Sequence, residues 1–182
     1  EVIQMAVKAN HDISSGLDTA FINSAINSNL AYRPEFVSND YTQGKKVSVA
    51  IERELRHCDA FYISVAFITE GGLAPLKQVL AELRDKGIPG KILTTSYLTF
   101  TEPKALKTLA DLSNVEVRVY DSTDEGASGF HTKGYIFKEE EIYRFIVGSS
   151  NMTASAFSVN KEWNTKLVST SDGELLKQMM TE

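Results

Sequence analysis

Ala60-Phe61-Tyr62-Ile63-Ser64-Val65-Ala66-Phe67-Ile68 is a nearly unbroken apolar run. A strand is apolar on both sides when both faces of its sheet are covered, as in a sheet layered between helices. The residues that follow continue this theme. Gly71-Gly72 opens a helical stretch with Leu73, Leu76, Leu80 and Leu83 inward, and Gly87 stops it. Residues 91–98 read as a second strand. Thr101 has the place of an N-cap, with Pro103 in the first turn and Leu106 and Leu109 inward. Val115, Val117 and Val119 alternate as a third strand. The β-α-β-α-β order implies parallel strands joined by right-handed crossovers.

Outward from this unit the pattern is still legible. Residues 46–57 carry Val47, Ile51 and Leu55 on one helical stripe. Residues 130–137 and 142–147 read as a hairpin turning at Lys138-Glu139-Glu140-Glu141. A short helix follows Ser149-Ser150-Asn151, a last strand covers 162–169, and Gly173 starts a helix. Residues 121–129 form an acidic Gly- and Ser-containing loop, expected as a mobile rim beside His131. The first 44 residues are polar and rich in Asn and Ser. Within them, 15–30 has helical spacing at Leu17, Phe21, Ala25 and Ile26, ended by Tyr32-Arg33-Pro34. Asn39-Asp40 and Gly44 mark a loop. The division expected is a helical and loop extension over 1–44 and one domain over 45–182. No internal repeat is visible.

Composition sets bounds. The 182 residues are 42% apolar and 24% charged, which suits one globular domain with a substantial core. No apolar run approaches a membrane span, and no signal peptide opens the chain. The single Cys58 excludes an internal disulfide and a Cys-rich zinc site, and makes a reducing, cytoplasmic setting the simple reading. A net charge of −5 argues against a protein that coats nucleic acid, yet leaves room for a local cationic site. Lys or Arg at 84, 86, 91, 104, 107 and 133 are the cations that folding would have to gather. The chain starts at Glu1 and ends just after Gln178-Met179-Met180 in a helical stretch, which reads as a piece of a longer protein.

The chemistry is concentrated in His131-x-Lys133, Gly148-Ser149-Ser150-Asn151 and Glu162. Side chains alternate along a strand, so His131 and Lys133 share a face. The second hairpin strand delivers Ser149, Ser150 and Asn151 beside them, at a turn into a helix whose amides can hold an anion. Imidazole, ammonium, hydroxyl, carboxamide and carboxylate together can bind and attack a phosphodiester without a metal. Each piece alone has a plainer reading. A His-x-Lys is usually a solvated strand edge, Gly-Ser-Ser-Asn a turn and cap, and Glu162 a surface carboxylate. Order and spacing together favour a site. His57 and Cys58 read as a helix-terminal histidine and a buried thiol. His11 lies in a polar tail. Trp163 reads as packing against the site rather than stacking on a base. Glu139, Glu140 and Glu141 read as a solvated hairpin tip.

At these residues the chain resembles the phospholipase D-like superfamily. Its signature is His-x-Lys, often an Asp, then Gly-Ser-x-Asn, matched by His131, Lys133, Gly148, Ser149 and Asn151. Its single-motif members carry a Glu eleven residues after the Asn, the place of Glu162. The Asp position is Lys138. The resemblance implies an α/β fold, an α-β-α sandwich with a mixed, largely parallel central sheet. It also implies catalytic roles for His131, Lys133, Asn151 and Glu162, and substrate binding by Lys133, Ser149, Ser150 and Asn151. In that scheme His131 forms a phosphohistidine, and Lys133 and Asn151 bind the non-bridging oxygens. Ser149 orders the site, and Glu162 accepts a hydrogen bond from His131. No metal or other cofactor is implied. A second histidine must protonate the leaving oxygen, so a homodimer is expected.

A narrower resemblance covers Thr19-Ala20-Phe21-Ile22, Tyr32-Arg33-Pro34, Ser64-Val65-Ala66-Phe67-Ile68-Thr69, Gly90-Lys91-Ile92-Leu93-Thr94-Thr95, Glu102-Pro103-Lys104-Ala105-Leu106 and Lys161-Glu162-Trp163-Asn164. These look like the N-terminal module of bacterial superfamily 2 helicases. The chain has no Gly-x-x-x-x-Gly-Lys-Ser/Thr, so ATP hydrolysis is not expected of it. The leading expectation is a DNA nuclease module, with DNA and an attached helicase core as partners. The alternative is a module that binds DNA phosphate and turns over negligibly. Phospholipid hydrolysis has no amphipathic basic stretch behind it.

Overall fold

The structure, a computed structural model, describes residues 2–97, 100–121 and 129–182. Its centre is a seven-stranded sheet. The strands are β1 (Glu35–Val37), β2 (Ala60–Val65), β3 (Gly90–Thr95), β4 (Val115–Tyr120), β5 (Lys133–Glu139), β6 (Ile142–Gly148) and β7 (Asn164–Thr170), in spatial order β1-β7-β6-β5-β2-β3-β4. Parallel pairing is confined to β2-β3 and β3-β4, the expected crossover unit. The other neighbours are antiparallel, so the sheet is mixed but less parallel than the sequence led us to expect. The hairpin β5-β6 is the reason. It inserts against β2 rather than extending the parallel edge, and it brings β7 and β1 with it.

One face of the sheet carries Phe61, Ile63, Val65, Ile92, Tyr135, Phe137 and Ile146. These form the main core with α2 (Val47–Leu55), α4 (Lys77–Asp85) and α5 (Pro103–Ala110). The stripe Val47, Ile51 and Leu55 is fully buried, as its spacing requires. Leu73, Leu76, Leu80 and Leu83 are also buried, but on three short pieces. Helix α3 (Glu70–Leu73) gives way to a 3-10 turn at Ala74–Leu76 before α4. Pro75, which cannot donate a backbone hydrogen bond, marks the break. On the other face Ile136, Phe145 and Leu176 make a smaller cluster under α7 (Glu174–Thr181).

The N-terminal region differs from expectation. Its helix, α1, is Val2–Phe21 rather than 15–30, and Asn23 ends it by accepting from the Ala25 N–H through its side chain. Leu17 and Phe21, which carried the helical spacing, are exposed at 40% and 63%. Glu35–Val37, inside the expected helical and loop extension, is a strand that pairs antiparallel with β7. Thr101 does not cap α5. Glu102 holds that position, while the Thr101 hydroxyl turns inward and donates to the Ala66 carbonyl at 3.3 Å. The second strand stops at Thr95, and the acidic loop expected over 121–129 falls at 122–128, outside the described residues. The hairpin turns where anticipated, with Glu140 at φ 52° and its N–H donating to Asp59 at 2.7 Å. Glu139 is not a free tip residue, because it pairs with Arg144. Among the described residues no helix is long and apolar enough to cross a membrane.

Candidate phosphodiester site

Strand order places the motif residues at one end of the central strands. His131 immediately precedes β5, Lys133 begins it, Ser149 follows the end of β6, and Glu162 and Trp163 precede β7. Antiparallel pairing makes these starts and ends neighbours, with Gly148 opposite Asn164. Gly148 is required there by close approach. A Cβ built on it would lie 2.1 Å from the Trp163 carbonyl oxygen and 2.6 Å from Asn164 Cα.

Lys133 Nζ stands 2.9 Å from His131 Nδ1 and donates to the His131 carbonyl at 2.9 Å. Both side chains are thus on one side, as alternation requires, although β5 itself starts only at Lys133. A lysine ammonium can only donate, so Nδ1 accepts and the ring proton sits on Nε2. Burial holds the Lys133 ammonium below the usual lysine range, against the opposing pull of the Glu162 carboxylate. That attraction also shows that Glu162 lies within electrostatic reach of Lys133.

Glu162 is 7% exposed, and it accepts a hydrogen bond from the Ser149 hydroxyl. The Ser149 hydroxyl in turn accepts from the Trp163 N–H at 3.0 Å. Among the described residues the expected His131–Glu162 hydrogen bond is not made. Ser149 takes the carboxylate and Lys133 takes the imidazole. Burial pushes the Tyr135 phenol well above the usual tyrosine range, with Glu162 adding to it, so this hydroxyl stays neutral and donates to the Ser150 carbonyl at 2.9 Å.

Asn151 is fixed from β2's far end. Its Oδ1 accepts from the Phe67 N–H at 3.1 Å, which leaves Nδ2 to act as a donor. The Phe67 ring meets the His131 ring edge-on, with centroids 6.2 Å apart. The site thus consists of two hydrogen-bonded pairs, His131–Lys133 and Ser149–Glu162, at neighbouring strand ends, with Asn151 bonded to the backbone of Phe67, whose ring meets His131. Ser150 faces away from it. It is fully buried, and its hydroxyl accepts from Asn164 Nδ2 at 2.9 Å, so in this conformation it offers a substrate no surface.

The amides expected to hold an anion are also engaged elsewhere. The Ser149, Ser150, Met152 and Thr153 N–H groups donate to the Trp163 carbonyl, Asn164 Oδ1, the Phe67 carbonyl and the Asn151 carbonyl. Helix α6 (Ala154–Ser158) starts further on and is capped by the Thr153 hydroxyl. These four amides are therefore not open to a phosphate in this conformation. Folding gathers only Lys91 of the other scattered cations toward the site, along the trough that reaches Lys133. Lys104 pairs with Glu70, Lys107 with Asp111 and Arg84 with Asp85. Lys138 points to the face opposite Lys133 and, five residues along β5, roughly 17 Å away. A trough of about 870 Å³ on the less covered face, lined in part by Tyr62, Lys91 and Arg118, reaches His131 and Lys133 at its edge.

A mixed sheet between helices, with His-x-Lys entering one hairpin strand and Gly-Ser-x-Asn leaving the other, defines the phospholipase D-like class. Residues 56–182 match the family described as cardiolipin synthase, PLD-like domain, and the chain belongs to that family. Solved structures agree at the level of fold. NucT from Helicobacter pylori superposes with a TM-score of 0.62 at 15% identity, over 82% of this chain and 91% of its own. Nuc from Salmonella typhimurium, a phospholipase D family member, gives 0.57 at 15% identity over the same shares. The phosphatidylserine synthase of Haemophilus influenzae gives 0.54 at 14% identity, over 82% of this chain and 37% of its own. No curated protein matches the sequence significantly.

Proposed function

We propose that this chain is a metal-independent phosphodiesterase that cuts DNA through a phosphohistidine, at a site completed by a second copy of the chain. The observation that carries the proposal is that the His131–Lys133 and Ser149–Glu162 pairs and Asn151 lie at neighbouring ends of the central strands. Lys133 and the Asn151 carboxamide supply positive charge and a donor for the non-bridging oxygens. The arriving phosphate draws Lys133 Nζ off His131 Nδ1. The ring proton can then settle on Nδ1, which frees Nε2 to attack phosphorus in line. The P–O bond breaks as the P–N bond forms, and the leaving oxygen takes a proton from His131 of the partner subunit. That second imidazole then removes a proton from water, which attacks phosphorus and cleaves the P–N bond. DNA as substrate, and a helicase core carried by the same polypeptide, rest on the resemblance of residues 19–164 to helicase N-terminal modules.

The test is cleavage of labelled single- and double-stranded DNA in excess EDTA, comparing the native chain with His131→Ala. Cleavage that survives EDTA and falls at least about a thousandfold in the mutant is expected. Binding by both proteins with cleavage by neither, in a dimeric preparation, would replace the nuclease with a phosphate-binding module. Loss of cleavage in EDTA by the native chain would overturn the metal-independent mechanism.

A further inference from the structure

Trp163 is the single tryptophan of the chain, and it does not pack into the core. It is 76% exposed, beside the buried Glu162, and its backbone is bonded to Ser149 on both sides. Its ring meets Phe36 of β1 edge-on, with centroids 5.4 Å apart, and Phe36 is itself 61% exposed. A second pair, Phe67 and Phe100, has centroids 5.0 Å apart, with Phe100 55% exposed and Phe67 against the His131 ring. Strand order fixes where these pairs lie. Trp163 precedes β7 and Phe67 follows β2, so β6 and β5, which deliver Ser149 and His131, run between them. Three strand spacings, roughly 14 Å, separate the two pairs along the sheet. Phe36, opposite Thr165 on β7, lies on the face away from Lys133, so a strand that meets both pairs passes over the ends of β5 and β6.

Resting on the phosphodiesterase reading, we infer that the substrate is single-stranded nucleic acid, with unpaired bases stacked on Trp163–Phe36 on one flank of the phosphate and on Phe67–Phe100 on the other. Large aromatic rings left in water beside a phosphate site are what base stacking uses. A paired base inside a duplex has its two faces covered by its neighbours, so it cannot meet such a ring. The charge distribution points the same way. Lys104, Lys107 and Arg84 are paired with carboxylates, Arg118 in the trough is paired with Glu116, Lys91 and Lys133 are the trough's other basic residues besides His131, and the chain carries a net charge of −5. A long phosphate track is therefore poorly served, and stacking has to carry more of the affinity.

The single tryptophan makes the test direct. His131→Ala protein, which holds DNA without cutting it, is titrated with a short oligothymidylate, with the same strand made abasic, and with a duplex of equal length. Tryptophan fluorescence should be quenched by the oligothymidylate and not by the other two. Trp163→Ala should bind oligothymidylate roughly five- to hundredfold more weakly, with Trp163→Phe retaining most of the affinity. Equal affinity for the abasic strand, or equal quenching by duplex, would overturn the inference. So would a fall in molecular mass by light scattering in Trp163→Ala, which would make the ring a subunit contact. Quenching together with weakened Trp163→Ala binding supports stacking even where native protein fails to cleave. Native cleavage that ignores Trp163 sinks the stacking alone.

Discussion

Lys133 is asked to do two things: to hold phosphate oxygens, and to sit 2.9 Å from the imidazole that must attack. Its burial lowers the pH at which it gives up its proton, and Glu162 works against that shift. The phosphate-binding form is the ammonium, so activity is lost as pH rises through this depressed value. The alkaline limb of kcat/KM, which reports the free protein, should therefore lie below the usual lysine range. Glu162→Gln removes the charge that favours the ammonium and should move that limb to still lower pH. Lys133→Arg keeps its charge throughout and should remove the limb. Limbs that coincide in the native chain and Glu162→Gln would show that another group sets the pH dependence. At this scale the sequence singled out His131, Lys133, Ser149, Asn151 and Glu162 by residue type, order and the signature they resemble. It could not show which hydrogen bonds are made. The Ser149–Glu162 bond and the inward turn of Ser150 depend on how the β6 and β7 ends abut, and spacing does not encode that.

Elements are held in register by a buried ionic cluster that no motif announced. Lys166 on β7 is 3% exposed and pairs with Glu54 on α2 at 3.4 Å and with Glu35 on β1 at 3.1 Å. It ties the helix layer and the edge strand to the centre of the sheet. Lys166→Met leaves the 8% exposed Glu54 buried beside only the more distant Arg144 and the outer Arg53. It should cost about 3–5 kcal/mol in denaturant unfolding. Replacing both Lys166 and Glu54 with apolar residues should recover much of that. For Glu35, burial pushes the carboxyl up, but Lys166 and Arg53 outweigh it and hold it below the usual range. A depressed carboxyl contributes stability above its unfolded pKa and loses it as pH falls through its folded value. Native protein should accordingly lose stability on acidification in a window that Glu35→Gln narrows. Gly148→Ala should destabilise by about 1–3 kcal/mol and disturb the site, because the new Cβ meets the Trp163 carbonyl. The longer strands and α2, α4 and α5 were legible because a period needs repeats to be seen, while α1 was placed too far along the chain. The three residues of β1 offer barely one alternation, and Pro34 before them reads as a break.

For the whole molecule the open question is how one motif histidine per chain serves the two-histidine chemistry proposed. If the site is shared across a two-fold axis, each working unit needs both copies of His131. The native chain should then scatter light as a dimer. Remixing equal amounts of native and His131→Ala chains, with exchange allowed, should leave about a quarter of the native activity per site, because only that share of dimers carries two histidines. Half the activity would mean that each chain works alone. Folding must be monitored independently, and Cys58 provides the means. It is buried, with its thiol donating to the Leu55 carbonyl at 3.2 Å. Burial, with Asp59, Glu139 and Glu54 adding to it, pushes the thiol up to about 12. The native thiol should resist disulfide reagents at neutral pH and react only as the fold opens. A variant that stays unreactive, stays dimeric and yet follows the one-quarter rule would place the loss of activity in the missing imidazole itself. Rapid Cys58 labelling in His131→Ala would instead assign that loss to unfolding.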